Sequence, residues 1–277
     1  GLVASSTAIT VLASTAPASA GVAIDGAGST WSEVALQQWR ADVARQGIAV
    51  NYQGNGSTAG RVFYYSDQID FAVSEIPFQS NYTDATGTVN TNEVALAGHR
   101  PWVYLPIVAG GTSFMYHLDI AGKRFTGLRL SPDTLARIFT GVITRWNDPA
   151  IAADNPGVAL PGTTVRPVIR SDGSGTSAQF SAFLASQTPN VWNDFCRRSG
   201  ITASPCPPTS LYPEFTNSIG QQLSDGVADY VAAPYSDGTI TYVEYAYALQ
   251  RGFPVASILN KAGYYAQPTA QNVAIAL

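Results

Sequence analysis

Charged side chains are scarce in this 277-residue chain, at 12% of the total, and lysine occurs only as Lys123 and Lys261. The formal net charge is -4. The basic stripe that a nucleic-acid surface needs is missing, which excludes nucleic acid as a partner. No Gly-Lys-Ser/Thr sequence occurs, so a Walker-type nucleotide cradle is excluded, and without Gly-x-Ser-x-Gly there is no nucleophile elbow. Histidine is limited to His99 and His117, neither in a motif-like setting, so a serine nucleophile lacks an obvious base. Cys196 and Cys206 are the only cysteines. Two thiols do not fill a zinc site, and neither histidine lies near them in sequence. No metal, no cofactor and no catalytic residue is therefore expected. Past the first 20 residues, no stretch reaches the roughly 18 to 20 apolar residues of a membrane span.

Apolar residues, by contrast, make up 45% of the chain, enough for a large core, and the length accommodates two lobes of ordinary size. Residues 1–20 stand apart. They are uncharged, rich in Ala, Ser, Thr and Val, and end Ala18-Ser19-Ala20, the small-residue form of a signal-peptidase site. They are expected to be the remainder of an export signal, with a disordered linker as the alternative. The mature protein is then expected outside the cytoplasm, in the periplasm, on the cell surface or secreted. In that setting two cysteines ten apart, with Pro205, Pro207 and Pro208 crowding the second, suggest a disulfide clamping a loop.

Hydrophobic spacing predicts a strand at 22–24. A helix follows from Thr30, where Thr30 and Glu33 have the form of a capping box and Trp31, Ala35, Trp39 and Val43 share a face. Strands are predicted at 48–52 and 69–74, with a second helix opening in the turn 53–60. Further on come strands at 104–109 and 165–170, with a capped helix at 131–139 carrying Pro at its first position. A helix with Phe180, Phe183 and Leu184 on one side follows the loop 171–176, and strands are predicted at 230–233 and 241–246. Strands alternating with helices describe an α/β protein with mostly parallel sheets, whose ligands bind beyond the carboxyl ends of the strands.

Three of the loops share one chemistry: glycines that let the backbone approach closely, hydroxyls, and free amides before a helix. Helix N-termini leave unpaired N–H groups and attract oxyanions. The richest loop is Arg170-Ser171-Asp172-Gly173-Ser174-Gly175-Thr176, where Asp172 is placed to orient the Arg170 guanidinium.

Four segments carry a family resemblance: Gly26-Ala27-Gly28-Ser29-Thr30-Trp31, Val50-Asn51-Tyr52-Gln53-Gly54-Asn55-Gly56-Ser57, Ile69-Asp70-Phe71-Ala72-Val73-Ser74-Glu75 and Arg170 to Ser177. In this order they resemble the signature loops of the phosphate-binding proteins that feed phosphate ABC transporters. Residues 240–248 and 268–273 resemble later segments of that family. The resemblance implies a two-lobed periplasmic-binding-protein fold of type II, with helices flanking the sheets and the ligand in the interlobe cleft. Lobe 1 would comprise residues 21–105 plus 240–277 and lobe 2 residues 106–239, with hinges near 100–110 and 235–245. It also implies inorganic phosphate as ligand, held by Thr30, the Trp31 amide, Ser57, Glu75, Arg170, Ser174, the Gly175 amide and Thr176, with Asp172 orienting Arg170. The implied role is non-enzymatic delivery of phosphate to a membrane ABC-transporter permease by a monomer.

Two departures stand out. The family usually has Asp where this chain has Glu75; a carboxylate there would accept the proton of monohydrogen phosphate and repel sulfate. The family also continues past the segment at 268–273, so lobe 1 is expected to be incomplete at its C-terminal side. Three other functions remain open on the residues alone: an exported Ser-dependent hydrolase or phosphatase, a surface or adhesion protein reusing the fold, and a binder of another tetrahedral oxyanion.

Overall fold

A computed structural model describes residues 21–80 and 92–276; the expected export-signal remainder at 1–20 lies outside them. The first group of elements comprises β1 (Ile24–Gly28), α1 (Glu33–Ala44), β2 (Val50–Gly54), α2 (Ser57–Tyr65), β3 (Phe71–Val73) and α3 (Glu93–Ala97). Its three strands form a parallel sheet in the order β2-β1-β3, with Ile24 opposite Val50 and Gly28 level with both Gly54 and Val73. All three strands therefore end at one edge, and the loops that follow carry Ser29-Thr30, Asn55-Gly56-Ser57 and Ser74-Glu75. Helix α2 packs directly on β1: a Cβ on Gly60 would stand 2.5 Å from the Gly28 Cα. Only backbone can meet backbone that closely.

The second group is larger. It contains β4 (Thr112–His117), β5 (Asp119–Ile120), β6 (Lys123–Arg124), β7 (Arg129–Leu130), α4 (Pro132–Phe139), α5 (Pro149–Asp154), β8 (Arg166–Arg170), α6 (Gly175–Gln187) and α7 (Pro189–Arg198). It continues with β9 (Ile219–Gln221), α8 (Leu223–Ala232), β10 (Thr239–Glu244), α9 (Tyr245–Arg251), β11 (Ser257–Leu259) and β12 (Tyr265–Ala266), before α10 (Ala270–Ala276). Its main sheet runs β4-β10-β8-β9, parallel except for β4, and a small sheet joins β12, β11 and β7. The core fills this half: Phe114, Phe139, Phe180, Trp192, Phe195, Tyr212 and Tyr242 pack into one buried cluster, and Met115, Val168, Val227, Val231 and Tyr247 into another. Among the described residues of the first group, Leu36, Tyr52 and Val73 form a buried apolar cluster. Cys196, on α7, is disulfide-bonded to Cys206 at a Cα–Cα distance of 6.4 Å, as the proline-crowded spacing suggested. Among the described residues no helix is long and apolar enough to cross a membrane.

Several local expectations are corrected. The first strand starts at Ile24, not Val22, because its partner β2 starts opposite it at Val50. Helix α1 starts at Glu33 and has no side-chain cap. The Glu33 carboxylate accepts from Gln37 at 3.2 Å and sits against Gly54 instead of reaching back to Thr30. Leu36, not the Trp31-Ala35-Trp39-Val43 row, is its buried residue, and Trp39 is 42% exposed. Residues 104–109 form no strand: Pro106 has no N–H for a ladder, and the exposed segment packs Trp102 and Tyr104 on Phe78 instead. Residues 230–232 form the last turn of α8, whose Val227, Ala228 and Val231 bury one helical face, and Ala233 follows as its C-cap. The largest correction concerns the second crossing. Residues 239–244 are an inner strand of the main sheet, paired with β4 and β8, and β11 pairs with β7. The stretch 240–266, expected in lobe 1, therefore belongs with the second group. The helix at 132–139 follows the expectation, with the Ser131 hydroxyl accepting from the Thr134 amide at 3.2 Å.

Candidate functional site

The carboxyl ends of the parallel strands in the two groups face one another, and the predicted loops meet there. The Thr58 amide, on the first turn of α2, donates to the Gly173 carbonyl at 3.2 Å. Gly56, at φ +92°, passes so close that a Cβ would stand 2.8 Å from Asp172 Oδ2. A side chain at residue 56 would meet both the left-handed backbone penalty and the Asp172 carboxylate.

One half of the site centres on Glu75. Its Oε2 accepts a hydrogen bond from the Ser57 hydroxyl at the start of α2. Its Oε1 accepts from the Thr176 hydroxyl, in the first turn of α6, at 3.1 Å. The Glu75 carbonyl takes the Gln179 side-chain amide at 2.9 Å. Gly175 leaves room for this arrangement: a Cβ there would overlap Glu75 Oε2 and stand 2.8 Å from Ser57 Oγ. Ser174 caps α6, its hydroxyl accepting from the Ser177 amide at 3.1 Å.

The other half centres on Arg170, which is only 3% exposed. Asp172 grips its guanidinium in a two-point fork, Nε to Oδ1 at 2.7 Å and Nη2 to Oδ2 at 2.5 Å. The Leu223 amide donates to the same Oδ1 at 2.9 Å. The remaining Nη1 reaches Ser224 Oγ at 3.4 Å. Thr30 lies against Ser224, hydroxyl to hydroxyl at 2.8 Å, and also accepts the Ser224 amide at 3.2 Å. The Tyr247 hydroxyl donates to the Thr30 carbonyl at 2.5 Å, and burial pushes the pKa of that phenol well up, so it stays a neutral donor. Burial likewise pushes the Tyr242 phenol up to about 12. Its oxygen accepts the Arg170 amide at 3.2 Å and pairs with Ser177 Oγ at 2.8 Å. The Trp31 amide donates to Ser29 Oγ at 3.1 Å, with its indole ring beside Gly110.

Of the predicted site residues, Glu75 and Thr176 bond directly across the junction and Thr30 and Arg170 meet through Ser224, whereas Ser57 bonds to Glu75, the Trp31 amide to Ser29 and Ser174 to the Ser177 amide within their own groups. Thr30 does not cap a helix; Ser224 takes its hydroxyl. Sequence reasoning missed Ser224, Tyr247 and Arg61. Ser224 and Tyr247 sit in no glycine-hydroxyl loop, and the sequence signal that could have found Ser224, a helix start after Gln222, was masked by reading 230–233 as a strand. Arg61 lies inside α2, 2% exposed. It pairs with Glu93 Oε2 at 2.9 Å and donates to Ser74 Oγ at 3.1 Å and Thr58 Oγ1 at 3.4 Å, bracing the residues next to Glu75 and Ser57. A cleft of about 820 Å³ opens beside Glu75, lined by Trp31, Arg61, Phe78, Trp102 and Tyr104 among others. Neither Arg170 nor Thr176 lines it, so the hydrogen-bonded donors, and not this cleft, define the site.

The arrangement gathers hydroxyls, amides, one guanidinium paired with a carboxylate and one further carboxylate from two sides, with the Ser57 and Thr176 protons given to Glu75 and the Trp31 amide to Ser29.

The chain is 36% identical over 270 residues to the phosphate-binding protein PstS of Xylella fastidiosa, covering 95% of this chain and 65% of the relative. It is 34% identical over 253 residues to PstS of Pasteurella multocida, covering 90% and 64%. The chain therefore spans just under two thirds of the length of these curated relatives. Among solved structures, a high-affinity periplasmic phosphate-binding protein, PfluDING, bound with phosphate superposes with a TM-score of 0.63 at 20% identity, covering 91% of this chain and 67% of that one. A phosphate-binding protein from Stenotrophomonas maltophilia gives 0.59 at 18% identity, covering 85% and 64%. These two show that the fold is that of the periplasmic phosphate-binding proteins. A family model described as the PBP superfamily domain matches residues 14–276, and the chain belongs to that family.

Proposed function

We propose that the protein is an exported, monomeric solute-binding protein that holds inorganic phosphate between its two groups of elements and delivers it to an ABC-transporter permease. One observation carries the reading: Ser57 from one group and Thr176 from the other converge on the Glu75 carboxylate, beside the buried Arg170 fork. The ligand contacts are Thr30, the Trp31 amide, Ser57, Glu75, Arg170, Ser174, the Gly175 amide and Thr176, with Asp172 holding Arg170 in place. Many donors with one carboxylate acceptor suit an oxyanion that carries a single proton. Sulfate carries none near neutral pH and would face an unpaired carboxylate. The relatives named above are phosphate-binding proteins, which supports this ligand over another tetrahedral anion.

The role is binding, not catalysis. His117 bonds to the Val231 carbonyl at 3.0 Å, and His99 to the Leu96 carbonyl and Asp67 at 2.7 Å each; among the described residues neither imidazole bonds to Ser57 or Ser174, whose hydroxyls meet Glu75 and the Ser177 amide. Lobe 1 is built on the β2-β1-β3 sheet and lobe 2 on the β4-β10-β8-β9 sheet, with the stretch 101–111 joining them. The Cys196–Cys206 disulfide fits an oxidising, extracytoplasmic location.

Calorimetric titration with phosphate and, separately, with sulfate near neutral pH tests the proposal. Saturable heat with phosphate alone is expected. Heat with both would remove the selective role of Glu75, and heat with neither would overturn the reading.

A further inference from the structure

Ser224 lies in none of the glycine-hydroxyl loops, yet it stands between two of the proposed ligand residues. It is 1% exposed, in the first turn of α8. A hydroxyl has one proton and two acceptor positions. Arg170 can only donate, so its Nη1–H occupies one acceptor position of Ser224 Oγ. The Ser224 amide likewise occupies one acceptor position of Thr30 Oγ1. What remains is the direction of the proton in the 2.8 Å pair between the two hydroxyls. If Ser224 donates, both acceptor positions of Thr30 are filled, and the Thr30 proton is its only remaining capacity. The Tyr247 hydroxyl, bonded to the Thr30 carbonyl, keeps that residue from turning away.

We infer that Ser224 is a positioning residue that makes Thr30 a pure donor. The chain of bonds runs from Arg170 Nη1–H to Ser224 Oγ, from the Ser224 hydroxyl to Thr30 Oγ1, and from the Thr30 hydroxyl to the anion. Each bond polarises the next, so part of the guanidinium's charge is felt at Thr30 although Asp172 occupies two of its donors. The consequence is specificity without contact. The anion oxygen facing Thr30 must be unprotonated, because Thr30 has no free acceptor position, and the anion's single proton is left to Glu75. The inference rests on the phosphate reading of the site.

A double-mutant cycle tests it, with phosphate as the probe in calorimetric titrations of the wild type, Ser224→Ala, Thr30→Val and the double variant. Ser224→Ala is expected to weaken binding about tenfold in the wild-type background and by less than about twofold in the Thr30→Val background, since the effect passes through the Thr30 hydroxyl. Ser224→Gly, which keeps the backbone amide but removes Cβ together with the hydroxyl, is expected to weaken binding at least as much as Ser224→Ala and covers the case in which that variant does not fold. Unchanged binding in Ser224→Ala would overturn the role of Ser224 and leave the phosphate reading standing. Equal losses in both backgrounds would overturn it too, because a merely structural effect does not depend on Thr30. A wild type that binds no phosphate would instead sink the phosphate reading, and the donor role with it.

Discussion

Replacing Glu93 by Gln isolates the buried ion pair behind the site. The change preserves shape and removes one negative charge from a position with no exposure, leaving the 2% exposed Arg61 guanidinium without its counter-ion. Glu93 Oε2 receives both Arg61 Nε at 2.9 Å and the Gln79 amide at 2.8 Å, whereas Oε1 is buried with no hydrogen-bond partner among the described residues. An amide oriented to keep the first two bonds places its NH2 in the buried position where Oε1 has no hydrogen-bond partner among the described residues. Breaking a buried pair from one side costs about 3–5 kcal/mol. At about 2–4 °C per kcal/mol for a chain of this size, the melting temperature should fall by roughly 6–20 °C. Circular dichroism melts of the wild type and the variant measure it. The double variant Glu93→Leu/Arg61→Leu should lose less than the single one, because it leaves no uncompensated charge. A single-variant shift below about 2 °C, or a double variant less stable than Glu93→Gln, would refute the reasoning.

Three further outcomes are expected. Gly175→Ala drives a Cβ into the Glu75 carboxylate, so phosphate affinity should drop at least about tenfold while the melting temperature changes little, as titration and melts together would show. Reducing the Cys196–Cys206 bridge, which closes a ten-residue separation, should cost about 2.5–3 kcal/mol, read as a shifted denaturant midpoint with and without reductant. Burial raises the Glu244 pKa from 4.5 to about 6, against the pull of the Ala246 and Tyr245 amides. The folded protein thus takes up this proton before the unfolded chain does, and the Glu244 contribution to stability grows as pH falls from about 7 toward 4.5. Glu244→Gln keeps an acceptor for the Ala246 amide, so it should be more stable than the wild type at about pH 7.5, with the gap closing by about pH 4.5; a gap that does not change with pH would count against this.

The sequence made the chemistry of the site more legible than the boundaries of the fold. Arg170, Asp172, Ser174, Gly175 and Thr176 announce themselves because an anion-binding turn needs small residues, hydroxyls and a cation within one short segment. Residues 131–139 were equally readable, since Ser131 and Pro132 act locally on the first turn. Thr30 misled for the opposite reason: a capping box and a hydroxyl held by a distant serine look the same from positions 30 to 33. Ser224 and Tyr247 reach Thr30 across 194 and 217 residues of chain, a distance no local pattern encodes. The strand predicted at 241–246 forms at 239–244, with Tyr245 and Ala246 opening α9, and it pairs with β4 and β8 instead of the first sheet, because pairing is decided by which sheet has a free neighbour, not by the strand's own composition. At 104–109 the apolar run looks like a strand, but Pro106 removes a ladder donor.

The unequal sharing of apolar side chains between the two groups has a kinetic consequence. Three buried residues cement the β2-β1-β3 sheet, whereas β8 and β10 are locked between two extensive clusters. Local opening free energy follows the apolar contacts that must be broken. In native-state hydrogen–deuterium exchange, the amides of Asn51 and Gly26 should therefore exchange through small, frequent openings that leave the rest of the molecule protected. Those of Ile169 and Tyr242 should wait for global unfolding. The half of the site holding Ser57 and Glu75 would then fluctuate against a nearly static half holding Arg170 and Thr176.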